Sequence, residues 1–357
     1  MDKLSQRDLN RATLARQYLL DRGAASALDT IEHLGGMQAQ APLAPYIGLW
    51  TRLGAFGVED LSALIEDRRV VRLHMMRNTL HLGSARDCLD WRSTFSQRHA
   101  ADFQSHFSGS LQGVDRRALL EDARRLLDER PLTRAQLGRV LAEQWPDADP
   151  GALGYAATHL LALCQVPPRG VWGRPSGPAA WTPLESWLGD TLRARPVDGL
   201  VGRYLGAFGP ATTADVQLWS GLTRLREVVE RLPLRTFVGP DGQTLYDLPA
   251  ADRPSGDLPA PPRLLPAYDN LLLSHHDRSR MMLTKRPVPL PAGNGSSEGT
   301  FLVDGTWQGT WRLLGNTMRL RSFDPLGMGD RNDLLSEAKR LLSFLGADEE
   351  CDLILEQ

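Results

Sequence analysis

Apolar residues recur at three- and four-residue spacing along most of the chain, which predicts a mainly helical protein. Residues 6–21 place Leu9, Ala12, Thr13, Arg16 and Leu19 at helical spacing, with Gly23 as the stop. A second helix is predicted from Ser26 through 35, a third over 42–53 and a fourth over 58–67. The stretch RRVVRLHMMRNTLHLG then changes period. Val71, Leu73 and Met75 alternate with Arg72, His74 and Met76, a strand pattern.

Similar plans follow. Residues 114–130 read as a helix, Thr133 as the cap of TRAQLGRVLAEQW, 150–164 as a helix, and VPPRGVWGRPSGPAAWTPL as a hairpin. Later come a helix over 199–208, Thr213 as the cap of TADVQLWSGL, a helix in TRLREVVERL, and a hairpin turning at Asp241-Gly242. PLTRAQLGRV and PATTADVQLW match in position and character, about 80 residues apart. Helix, capped short helix, helix and hairpin is the order of a winged helix-turn-helix. The C-terminal third differs. It has a proline-rich stretch (249–266), a strand and turn in RLLPAYDNLLLSHHDRSRM, a Pro/Gly/Ser loop (287–299), a hairpin at Asp304-Gly305 and a helix over 332–345.

The expected fold class is therefore mainly α with β-hairpins (α+β). Three tandem winged-helix units occupy 1–110, 111–196 and 197–250, and a β-rich portion with a hairpin and final helix occupies 251–357, packed as a curved monomer. An apolar fraction of 42% and a charged fraction of 24% in 357 residues suit such a globular protein.

Composition removes several classes of chemistry. No apolar run approaches the roughly 20 residues that span a bilayer, and the polar start MDKLSQRDLNRATLARQ has no signal-peptide core, so the expectation is a cytoplasmic protein. Cys88, Cys164 and Cys351 are scattered and odd in number, which argues against a disulfide framework; the lack of any C-x-x-C removes zinc ribbons and iron–sulfur clusters. A net charge of −2 argues mildly against nucleic acid, although one basic face can coexist with an acidic back. The cations are nearly all arginine, with lysine only at 3, 285 and 339. Gly295-Ser-Ser-Glu-Gly299 matches G-x-S-x-G but sits in a loop rather than at a strand-to-helix elbow. His275-His276-Asp277 has no i,i+4 partner and reads as structural.

LGGMQAQAPLAPYIGLWTRL followed by RRVVRLHMMRNTLHL resembles the bacterial AlkZ/YcaQ family of winged-helix DNA glycosylases, and LLPAYDNLLLSHHDRSR and FLVDGTWQGTW resemble that family's C-terminal part. The likeness covers most of the chain in order and departs in the loop 287–299. It implies that Gln38 and Gln40, in a Gln-apolar-Gln triplet, are the catalytic side chains. It also implies the branch that removes bulky N7-alkylguanines and unhooks interstrand crosslinks; the Gln-apolar-Asp branch is the housekeeping one. The partner is double-stranded DNA carrying alkylated purines, and no cofactor or metal is implied.

The chemistry is self-consistent. Alkylation at N7 makes guanine cationic, so the base leaves neutral and needs no general acid. An oxocarbenium-like sugar and a correctly placed water remain. Glutamine has no useful pKa, but its carbonyl can orient water and present negative dipole. Gln38 and Gln40 are expected to need an irregular loop to converge; otherwise they cap a helix end. His81 is the one acid candidate beside the motif. Arg72, Arg77, Asn78, Thr79 and His81 after the motif, and Arg278, Arg280, Lys285 and Arg286 before the variable loop, are candidate DNA contacts. A winged-helix transcription regulator, a housekeeping alkylation-repair glycosylase and a protein-interaction scaffold stand as alternatives at this point.

Overall fold

The computed structural model describes residues 2–175, 177–284, 286–288, 298–347 and 351–356, the side chains of 106–108 aside. Lys285 and positions 289–297, most of the variable loop with its Gly295-Ser-Ser, lie outside the described residues. The chain opens with α1 (Gln6–Arg16), α2 (Ala27–His33), β1 (Met37–Gln38), α3 (Ala44–Trp50), α4 (Val58–Glu66) and the hairpin β2 (Val70–His74)–β3 (Leu80–Ser84). α5 (Ala85–Trp91) and α6 (Ser96–Phe107), which the periodicity did not single out, lead away from it.

The same order recurs. α7 (Arg116–Glu129), β4 (Leu132–Thr133), α8 (Arg134–Leu141), α9 (Pro150–Leu160) and the pair β5 (Leu163–Gln165)–β6 (Ala180–Pro183) follow one another, then α10 (Leu184–Leu188). A third round has α11 (Val197–Phe208), α12 (Thr213–Ser220), α13 (Arg226–Arg231) and the hairpin β7 (Arg235–Val238)–β8 (Thr244–Asp247). In each round a short strand or bridge residue ahead of the middle helix pairs with the last strand: β1 with β3, β4 with β6, and Ala211 with Tyr246 of β8. Thr133 caps α8 in a capping box with Gln136. The cap of α12 is Thr212, one residue before the predicted Thr213, because it is Asp215 that sits three residues on and closes the box. The first round departs from the other two: after β1, residues 39–43 intervene before α3, whose cap Leu43 makes no side-chain bond. The extra segment carries Gln40.

The first two rounds share one six-stranded sheet in the order β1-β3-β2-β5-β6-β4, joined where Arg72 of β2 faces Gln165 of β5 and Leu73 faces Cys164. This pairing explains two departures from the expected elements. Leu163–Gln165 is a strand, not the end of the preceding helix, since sheet pairing outweighs local propensity. β2 is buried at every position, so its polar alternate residues face protein rather than solvent.

β9 (Arg263–Leu265), β10 (Gly299–Val303), β11 (Thr306–Leu314), β12 (Thr317–Ser322) and β13 (Asp352–Glu356) form a second sheet in the order β13-β12-β11-β10-β9, with α14 (Met328–Phe344) packed on it. The β10–β11 turn falls at Asp304-Gly305, as the sequence predicts. α1, assigned by sequence to the first unit, is tied to this C-terminal part. The buried Asn10 amide donates to the Arg280 and Gly305 carbonyls at 2.7 and 2.8 Å, and Arg7 pairs with Asp304 at 2.8 Å. No helix among the described residues is long and apolar enough to cross a membrane.

Candidate active site

Gln38 and Gln40 flank Ala39, a fully buried residue fixed at both backbone ends. Its N–H donates to the Leu80 carbonyl at 2.8 Å, and its carbonyl accepts from the Arg72 guanidinium. The segment thus continues the extended edge of β1, and residues i and i+2 of an extended chain point to one face. No irregular loop is needed, contrary to expectation: the Gln38 amide donates directly to Oε1 of Gln40. Neither glutamine caps a helix, since α2 ends on Leu34 and α3 begins from Leu43.

Arg77 fixes the direction of that bond. Its guanidinium donates to Gln38 Oε1 at 3.0 Å, to Asn270 Oδ1 at 2.9 Å and to the Trp219 carbonyl at 2.5 Å. A guanidinium only donates, so Gln38 must turn its oxygen to Arg77 and its NH2 to Gln40. Gln38 is buried, with its oxygen on Arg77 and its amide on Gln40, while Gln40 is exposed. Burial, with Arg278 close by, pushes the Arg77 pKa down to about 10. Arg77 and Asn78 both have positive φ, 54° and 56°, in the β2–β3 turn. Gly221, at the end of α12, lies so close that an added Cβ would sit 3.2 Å from the Arg77 backbone. The third round therefore braces the turn that holds the glutamine.

Gln40 opens into a cleft of about 900 Å³ between the first two rounds. Asn78, Thr79 and Tyr268 line it with Gln40, and Arg134 and Arg169 line it from the second round. Its floor is a run of ring contacts: Trp181 stacks on His74 (5.5 Å, 12°), His74 meets His159 at a tilt (4.3 Å, 43°) and His159 stacks on Tyr155 (3.7 Å, 21°). Burial pushes the His74 pKa down to about 4, so its imidazole is neutral at physiological pH. Behind Gln38, Asp269 makes a two-pronged ion pair with Arg52 at 2.9 and 2.8 Å, which seats the neighbouring Asn270 for Arg77.

The candidate DNA contacts divide. Asn78 and Thr79 stand in the cleft with Gln40, while Arg77 lies behind it with Arg278 close to its charge. Three are corrected by burial. Arg72 (3% exposed) is spent on Ala39 and on Gln165 Oε1 at 2.8 Å, and burial pulls its pKa to about 9. Arg280 (5% exposed) donates to the Pro210 carbonyl at 2.9 Å. His81 (1% exposed) faces Thr79 O through Nδ1 at 3.0 Å, and burial takes its pKa to about 3, which also removes it as an acid. Arg286 lies over the Phe323 ring and 3.6 Å from Asp324. Lys285 lies outside the described residues. His275 is buried and bonded to the Phe208 carbonyl at 3.0 Å while His276 is exposed, and among the described residues no cluster suits a metal. Sequence reasoning missed Tyr155, His159, Trp181, Arg134 and Arg169. Only the β2–β5 pairing brings them to the glutamines, and nothing local in the sequence encodes it.

Residues 31–344 match the family model described as DNA glycosylase AlkZ-like. Comparison with curated proteins gives no match. Among solved structures, the Streptomyces sahachiroi DNA glycosylase AlkZ superposes with a TM-score of 0.78 at 21% identity, over 99% of this chain and 100% of that one, which establishes a shared fold. With a family model spanning nearly the whole chain, the protein belongs to the AlkZ-like DNA glycosylases.

Proposed function

We propose that this glycosylase hydrolyses the N-glycosidic bond of cationic N7-alkylguanine and N3-alkylpurine lesions in duplex DNA and leaves an abasic site. The observation that supports it is the Arg77–Gln38–Gln40 chain, which ends in a neutral amide at the mouth of a cleft. An amide cannot take up a proton, so it suits a substrate whose leaving group is already activated by its own charge. Gln40 is the catalytic residue: its carbonyl orients the attacking water and faces the oxocarbenium-like sugar. Gln38 is a positioning residue, held by Arg77. A lyase step would require an amine near the sugar; among the described residues Lys3 bridges to Val238, Lys339 lies on α14 and neither lines the cleft with Gln40, which supports monofunctional chemistry.

Asn78, Thr79 and Arg278, with Arg134 and Arg169 from the second round, are the proposed DNA contacts, and Arg286 a phosphate contact. The size and openness of the cleft support tolerance of bulky adducts and interstrand crosslinks, in alkylation repair or in self-resistance of a bacterial cell that makes a DNA-alkylating product. The protein acts as a monomer. Four duplexes test this, carrying N7-methylguanine, a bulky N7 adduct, an N7–N7 crosslink or uracil. The first three are expected to lose the base and uracil to be retained. Efficient uracil excision overturns the electronic argument, and failure on the bulky adduct reduces the enzyme to housekeeping repair of small lesions.

A further inference from the structure

Asp269 and Asn270 stand in the segment LLPAYDNLLLSHHDRSR, in the C-terminal part of the chain, yet they bear on the glutamines. Asn270 is buried, 193 residues beyond Arg77 in sequence, and its Oδ1 accepts from the same guanidinium nitrogen that donates to Gln38 Oε1. That nitrogen has two hydrogens, so one goes to Asn270 and the other to Gln38. The other terminal nitrogen of the guanidinium donates to the Trp219 carbonyl. Three neutral acceptors from distant stretches of chain therefore fix a planar cation, and among the described residues no carboxylate forms an ion pair with it.

Asn270 is placed for this bond at a cost to the fold. A guanidinium only donates, so Asn270 must turn its oxygen to Arg77, and its Nδ2 is left buried and, among the described residues, without a hydrogen bond. Buried donors are nearly always bonded, and an exception calls for a reason. The backbone just ahead is strained as well: Tyr268, which lines the cleft with Gln40, has a φ of 64°, a left-handed conformation that a bulky side chain seldom adopts. Between the two, the Asp269 carboxylate locks the loop by accepting from Arg52 at 2.9 and 2.8 Å and from the Leu271 N–H at 2.9 Å. Asn270 itself lines the small cavity behind Gln38 and not the cleft, so it bears on the reaction through Arg77 rather than through substrate. We infer that Asn270 is a positioning residue for excision: it takes one N–H of Arg77, which directs the other onto Gln38 Oε1 and so keeps the Gln38 amide donating to Gln40. The inference rests on the proposed catalytic role of Gln40 and extends its support into the C-terminal part of the chain.

The test is single-turnover excision of N7-methylguanine from a duplex by Asn270→Leu, which has nearly the shape of asparagine without its oxygen, measured beside affinity for the same duplex. The rate is expected to fall about tenfold, the value of one hydrogen bond to a charged group, with affinity near that of the wild type. Asn270→Asp, whose carboxylate accepts from Arg77 in the same place, is expected to recover most of the rate. Asn270→Ala, smaller and equally without an acceptor, is expected to match Asn270→Leu, so the result does not hang on how one variant folds. In a Gln38→Ala background Asn270→Leu is expected to add little further loss, since the bond it supports is already gone; general damage to the fold would multiply the two losses. The wild-type rate in both Asn270→Leu and Asn270→Ala, or a further loss of about tenfold on top of Gln38→Ala, overturns the positioning role. A Gln38→Ala enzyme that excises at the wild-type rate would instead refute the catalytic reading on which the inference rests.

Discussion

Replacing Gln40 with alanine is expected to lower excision of N7-methylguanine on the order of 100-fold, the effect of losing one preorganised electrostatic group. Affinity for duplex DNA should hardly change, because phosphate contacts dominate binding and Gln40 makes none of the bonds that hold the fold. Gln40→Glu is expected to retain far more activity than alanine, since a carboxylate can still accept from the Gln38 amide and orient water. Gln38→Ala should also reduce the chemical step strongly, by freeing Gln40 from the bond through which Arg77 orients it. Single-turnover rates alongside equilibrium binding separate these effects. Full activity in Gln40→Ala would move the chemistry elsewhere in the cleft.

Mild acid is expected to unfold the protein at a pH where most cytoplasmic domains still hold. His74, His81 and His99 are all buried, and burial lowers their pKa values to about 4, 3 and 3. In the unfolded chain histidine titrates near 6.5. Between pH 6.5 and about 3 the unfolded state therefore binds protons that the folded state refuses, and stability falls as pH falls. Each such histidine contributes about 1.4 kcal/mol per pH unit, so three give a slope of about 4 kcal/mol per unit near pH 5. Native proteins have only about 5–15 kcal/mol in total. Urea midpoints from pH 7.5 to 4.5 should drop steeply below pH 6, with a shallower slope in a His99→Gln variant. A flat profile between pH 7 and 5 would show that these imidazoles are not sequestered.

Much of the repeat was legible because it is written locally. Thr133 and Gln136 spell a capping box, and Asp241-Gly242 spells the turn between β7 and β8. The site was legible only in part. Gln38 and Gln40 stood out by resemblance, but their relation was misjudged: extended backbone places i and i+2 together, and a third residue, Arg77, sets which atom of each amide faces the other. Arg72 and His81 look like surface cations in an alternating strand. His81 is interior because β3 lies between β1 and β2, and Arg72 because β2 gains a second neighbour, β5, from ninety residues downstream. The run of ring contacts beneath Gln40 depends on that same join. Long-range strand pairing leaves no trace in a window of a dozen residues, so the floor of the site could not be read before the fold was known.

The most direct test of the account is the fate of a single N7-methylguanine in a duplex incubated with the protein and with its Gln38→Ala/Gln40→Ala variant. Release of free 7-methylguanine by the wild type, strand cleavage only after alkali, and loss of release on the order of 100-fold or more in the variant are the predicted results. Release by the variant at the wild-type rate, or strand cleavage by the wild type without alkali, would contradict it.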